Sequence, residues 1–142
     1  MLRAVLRLIA ALCLAYFAAS AMAQDPRTIA VQTAARSWLA IVDRGDAQSA
    51  WDAGGKRFRS TLSAAQWADA LAKERNLNGA VTRRTVGPTR FHTSLPGMPD
   101  GEYAQILFST SFAKKPNGRE SLTLEREADG QWHVIGYFPR SP

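Results

Sequence analysis

From Glu102 to Phe138 apolar and polar residues alternate one by one, a period-two pattern that predicts three antiparallel strands. Glu102–Ala113 (EYAQILFSTSFA), Arg119–Ala128 (RESLTLEREA) and Gln131–Phe138 (QWHVIGYF) are rich in the β-branched and aromatic residues that fit a half-buried pleated surface. Between the first two lies Lys115-Pro116-Asn117-Gly118, where proline presets a type I turn and Gly118 can take the left-handed position after it. The expected register sets Lys115 opposite Arg119, Phe112 beside Leu122, Thr110 beside Leu124 and Lys114 beside Glu120. A matching turn at Ala128-Asp129-Gly130 sets Leu124 beside Val134 and Arg126 beside Trp132. One face then carries Ala104, Ile106, Phe108, Phe112, Leu122, Leu124, Trp132, Val134 and Phe138. The other is polar, with Leu107, Ile135 and Tyr137 as apolar exceptions. A two-residue Asp-Gly turn is the competing solution and would point Ile135 and Tyr137 inward instead.

The pattern before this meander is helical. Asp25-Pro26 pairs an N-cap acid with proline at the first helical position. Val31, Ala34, Ala35, Trp38, Leu39 and Val42 recur at helical spacing until Gly45. Asp46 caps a short helix with Trp51 that ends at Gly54-Gly55, and Phe58 and Leu62 anchor the following loop. Ser63-Ala64-Ala65-Gln66 matches a capping box, opening a helix with Trp67, Ala70 and Leu71 that closes at Asn78-Gly79. From Ala80 the chain is extended, broken at Gly87-Pro88, and a turn-rich connector over 95–101 leads to the meander. Helices followed by four antiparallel strands make an α+β layout, with N-terminal helices packed on a curved four-stranded sheet, cystatin-like or nuclear-transport-factor-2-like. Trp38, Trp51, Trp67 and Trp132, one per element, are expected to anchor those elements in the core.

The first residues read as a targeting segment. Arg3 and Arg7 are followed by the apolar run Leu8–Ala19 and the small-x-small pattern Ala21-Met22-Ala23, which predicts a signal peptide over residues 1–23, cleaved after Ala23. Residues 24–142 are expected to form a single α+β domain, periplasmic or secreted, with no membrane anchor after cleavage. Cys13 is the only cysteine and lies in the removed segment, so the mature chain has no thiol chemistry. Removing Arg3 and Arg7 lowers the formal charge from +6 to +4. The remaining basic residues are scattered, which argues against nucleic acid as a partner.

Several runs together resemble the bacterial family known as domain of unknown function 4019. They are Trp38-Leu39 with Asp43 and Gly45, Ser49-Ala50-Trp51, Trp67 with Leu71, Arg75 before Gly79, and Thr93-Ser94-Leu95-Pro96-Gly97. Pro99-Asp100-Gly101-Glu102-Tyr103, Glu120-Ser121-Leu122-Thr123-Leu124 and Asp129–Tyr137 complete the set. The resemblance covers nearly all of the mature chain and implies a small exported protein, with no activity, cofactor or catalytic residue to carry over.

The residues themselves offer little chemistry. His92 and His133 are the only histidines, and no metal-ligand spacing or G-x-S-x-G run occurs. Neither a metal nor a cofactor is implied, and no catalytic residue is assigned. Glu120 starts on the covered face of its strand, with Arg75 expected above it from the end of the third helix, either as an ion pair or as a polar ligand clamp. Of the adjacent pair Arg83 and Arg84 only one can look inward, which makes Arg84 a further ligand-binding candidate. The expected function is a non-enzymatic exported binding domain for a small ligand or an envelope protein. Leu107, Ile135 and Tyr137 would be its interface residues, which also suit a homodimer through the open sheet face. The alternatives are a cavity enzyme of the isomerase or cyclase type and an inhibitor of an envelope hydrolase.

Overall fold

A computed structural model of the chain describes residues 25–140, so the leader expected over residues 1–23 lies outside the described residues. Four helices, α1 (Pro26–Asp43), α2 (Ala47–Asp52), α3 (Lys56–Thr61) and α4 (Ala64–Asn78), precede four strands, β1 (Val81–His92), β2 (Tyr103–Phe112), β3 (Gly118–Arg126) and β4 (Trp132–Arg140). The strands form one antiparallel sheet in sequence order, an α+β architecture. No helix among the described residues is long and apolar enough to cross a membrane.

The helix termini follow their sequence signals. The Asp25 carboxylate accepts from the Arg27 backbone N–H, and Asp46 accepts from that of Ser49. Both bonds of the Ser63/Gln66 capping box are made. The α1 stripe Val31, Ala35, Trp38, Leu39 and Val42 is buried on the sheet. Residues expected as a loop around Phe58 form the short helix α3 instead. Six residues with one buried side chain give no period to read, and its N-cap, Gly55, makes no side-chain cap bond.

Trp38, Phe58, Trp67 and Tyr137 pack together between helices and sheet, the ring centroids of contacting pairs 5.2 to 6.0 Å apart. Trp38 donates its indole N–H to the Ala50 carbonyl at 2.8 Å, tying α1 to α2. Trp51 does the same to Leu62, fixing the chain before α4. Trp51 and Trp132 are only partly buried at the margin of the core.

Across β2 and β3 the sheet keeps the expected parity with a different register. Leu122 lies opposite Ile106 and Gly118 opposite Thr110, so the first hairpin is displaced by six residues from the Lys115–Arg119 solution. An even displacement leaves every side chain on its original face, and Ala104, Ile106, Phe108, Leu122 and Leu124 are all buried. The loop is longer than expected because Phe112 and Lys115 exchange backbone hydrogen bonds at 2.9 and 3.1 Å. Gly118 is not left-handed. A Cβ there would meet Phe112 Cε2 at 2.6 Å, so glycine is needed for the phenylalanine ring to lie against the strand. The second turn follows expectation, with Gly130 at φ 76° and Leu124 opposite Val134.

Beyond Val134 the parity changes. A β-bulge inserts Ile135, so Thr123 faces Gly136 and Leu122 faces Tyr137. Tyr137 therefore turns inward and Phe138, expected in the core, is 56% exposed. Ile135 is buried instead under the α2–α3 connection. Gly55 donates its N–H to the Val134 carbonyl there, and a Cβ on it would meet Ile135 Cγ2 at 2.9 Å. Gly118→Ala is expected to cost about 1–3 kcal/mol through overpacking against Phe112. Thermal melts check this, and an unchanged melting temperature would contradict the close packing.

Candidate functional site

Every strand and the end of α1 send one side chain to a common point on the inner face. Asp43 closes α1, Arg84 lies in β1, Thr110 in β2, Glu120 in β3 and Tyr137 in β4. Inward-facing positions recur at every second residue of a strand, and the bulge at Ile135 brings Tyr137 into that set.

Glu120 is the centre and is fully buried. Its Oε2 accepts from Arg84 Nε at 2.6 Å and from Thr110 Oγ1 at 2.6 Å. Its Oε1 accepts from Arg84 Nη2 at 3.0 Å and from the Tyr137 hydroxyl at 2.8 Å. On its other side Arg84 holds Asp43 with two further bonds, Nη1 to Oδ2 at 2.7 Å and Nη2 to Oδ1 at 2.9 Å. The guanidinium is thus bidentate to both carboxylates, the geometry in which arginine hydrogen-bonds most strongly. Burial pulls the Arg84 pKa down, but the bonds to Asp43 and Glu120 outweigh it and hold it above the ordinary arginine value. Burial, then the charge of Glu120 and the bond to it, push the Tyr137 phenol well above its usual 10.0.

Arg75, expected above Glu120, hydrogen-bonds the Val42 carbonyl at the end of α1 instead. Helix α4 ends beside that turn, whereas β1 runs two strands from Glu120 and delivers Arg84 directly. Lys114, the expected cross-strand neighbour of Glu120, reaches the Asn76 carbonyl instead, because the hairpin register differs. Of the interface trio only Leu107 is exposed, at 44%. Ile135 is buried under Gly55, and Tyr137 belongs to the inner cluster, both consequences of the bulge. Sequence reasoning missed Asp43 as a site residue. Its signal was position: an acid directly after Val42, the last core residue of α1, and one turn beyond Leu39 on the same face.

The space beside Glu120, bounded by Val42, Leu71, Arg75, Val81 and Phe112 among others, amounts to about 20 Å³, room for one water. Four donor atoms already occupy the carboxylate, and the aromatic cluster reaches it through Tyr137. The arrangement therefore fastens α1 and all four strands at one point and leaves no room there for a substrate. No group of three or more His, Cys, Asp or Glu among the described residues could hold a metal ion.

Glu120→Gln removes the buried charge facing Arg84 and is expected to destabilise the protein by about 3–5 kcal/mol, read as a lower urea midpoint. The double variant Glu120→Gln/Arg84→Gln should cost less than the two single changes together by at least about 1 kcal/mol. Strict additivity would show that the pair is not coupled. Because the Tyr137 pKa is raised on folding, the unfolded chain releases that proton first, and stability is unaffected below about pH 10 and falls above it. The wild-type urea midpoint should drop more steeply between about pH 10 and 12 than that of Tyr137→Phe. Equal slopes would exclude the Tyr137 linkage.

A family model described as "Protein of unknown function (DUF4019)" matches residues 34–137. A protein of Catenulispora acidiphila with a structure at 2.5 Å is similar over 80% of this chain and 90% of its own, at 14% identity and a TM-score of 0.54, a likeness of fold alone. No curated protein matches the sequence. With the family model spanning α1 to β4, the chain belongs to the family described as Protein of unknown function (DUF4019).

Proposed function

We propose that the protein is an exported, non-enzymatic binding domain that takes its partner on the open face of the sheet. Export rests on Arg3, Arg7, the apolar run Leu8–Ala19 and Ala21-Met22-Ala23. The layout of a long helix across an antiparallel sheet supports a cystatin-like or nuclear-transport-factor-2-like reading of the fold. The observation that carries the binding role is the division of labour between the faces. The inner face uses its one buried carboxylate entirely for hydrogen bonds, while the outer face leaves Leu107 and Phe138 exposed on either side of Ser121.

The edges favour the face over strand addition. Pro88 interrupts β1 and Pro139 interrupts β4, and neither can donate to an added strand. Both strands are also bulged, and the Gly55 N–H already occupies one β4 carbonyl.

Immobilised protein is expected to retain a component of envelope extract that Leu107→Asp loses. Glu120→Gln, assayed at a temperature where it is folded, should keep it. Unchanged retention by Leu107→Asp would overturn the face as the site, and loss with Glu120→Gln alone would move it to the interior.

A further inference from the structure

Resting on that open-face reading, we propose that the occupant is a linear anionic polysaccharide lying across the strands, its acidic groups held by Arg83, Arg119 and Arg140. The register places all three on the outer face. Arg83 lies opposite Ser111, and Arg119 lies opposite both Ser109 and Arg140. All three are exposed, and none of their side chains makes an ion pair or hydrogen bond among the described residues. Glu125, the strand carboxylate of this face, is tied to Arg57 at 3.3 Å near the far end. Arg90, also on this face, is unpaired beside Gln105. Like charges directly across an antiparallel pair destabilise it, so the Arg119–Arg140 juxtaposition serves no purpose within the fold. An anion between them removes the repulsion.

The surroundings narrow the chemistry. The serine hydroxyls at 109 and 111 stand between Arg83 and Arg119, and that of Ser121 stands in the next row beside Phe138, donors and acceptors suited to sugar hydroxyls. One row away the Phe138 ring lies over Gly136, where a Cβ would sit 3.2 Å from Cε2. That contact lays the ring along the sheet, a flat apolar surface for the C–H face of a sugar. A second copy of the chain is a poor occupant, because its arginines would meet these. The size argues against a globular acidic protein. Four strands about 4.8 Å apart, the shortest of them 9 residues at about 3.3 Å each, give a face of about 570 Å². A stable protein interface needs about 800 Å² per partner, whereas a polymer one chain wide needs only the strip.

The full-length chain, titrated with polygalacturonate, should bind with an affinity that falls linearly on a log–log plot against salt, as for other polyanions. Arg119→Ser/Arg140→Ser should weaken that binding at least tenfold at low salt without lowering the melting temperature. Phe138→Ala should weaken it at every salt concentration and leave the salt slope unchanged. Neutral dextran is expected not to bind. Equal affinity of wild type and the double arginine variant would overturn the proposal. So would binding confined to single-stranded DNA or to vesicles of phosphatidylcholine and phosphatidylglycerol. If the arginine variant binds polygalacturonate like wild type while Leu107→Asp still loses its envelope component, the polysaccharide falls and the open-face reading stands. If neither change has an effect, both fall.

Discussion

A carboxylate buried to 0% exposure is tolerated only where donors surround it, and Glu120 obtains them from three other strands. Arg84 then needs a second anion, which Asp43 supplies from the end of α1. The consequence is geometric. Any slip of one strand past another, or of α1 along the sheet, takes at least one hydrogen bond from a charge of this cluster. Hydrophobic contacts alone would allow a register error of two residues, because side chains would keep their face. The polar point removes that freedom and selects one register from several of equal parity.

The β4 bulge is the other decisive feature. One inserted residue exchanges the roles of Tyr137 and Phe138, bringing a hydroxyl to Glu120 and leaving a phenylalanine outside. It also buries Ile135 against Gly55, which closes part of the β4 edge. A single backbone irregularity thus completes the inner network, protects an edge and supplies the aromatic residue of the outer face. The outer face carries no stabilising network of its own where Arg83, Arg119 and Arg140 stand.

The fold was legible where local chemistry is strong. The capping acids at Asp25 and Asp46, the Ser63/Gln66 box, the glycine stops and the alternation through β2 and β3 each act within a few residues. The candidate site was legible in part. A glutamate at an inward position marked Glu120, and adjacency with Arg83 marked Arg84 as a candidate to face inward. The expected Arg75–Glu120 pair does not form, although Arg75 lines the space beside Glu120, and Asp43 was missed as a site residue. Those errors depend on where elements separated by about 40 residues come to rest, which no local pattern encodes.

Taken alone, the sequence determined the α+β class, the extents of α1, α2 and α4 and the parity of β2, β3 and the start of β4, because periods of 3.6 and two are local consequences of backbone geometry. Only the tertiary structure decided the hairpin register, the bulge at Ile135 and the partners of Glu120. A shift by an even number of residues costs nothing in hydrophobic pattern. The choice among such shifts is made by long-range contacts, here the Phe112 ring on Gly118 and the Arg84 guanidinium between two carboxylates.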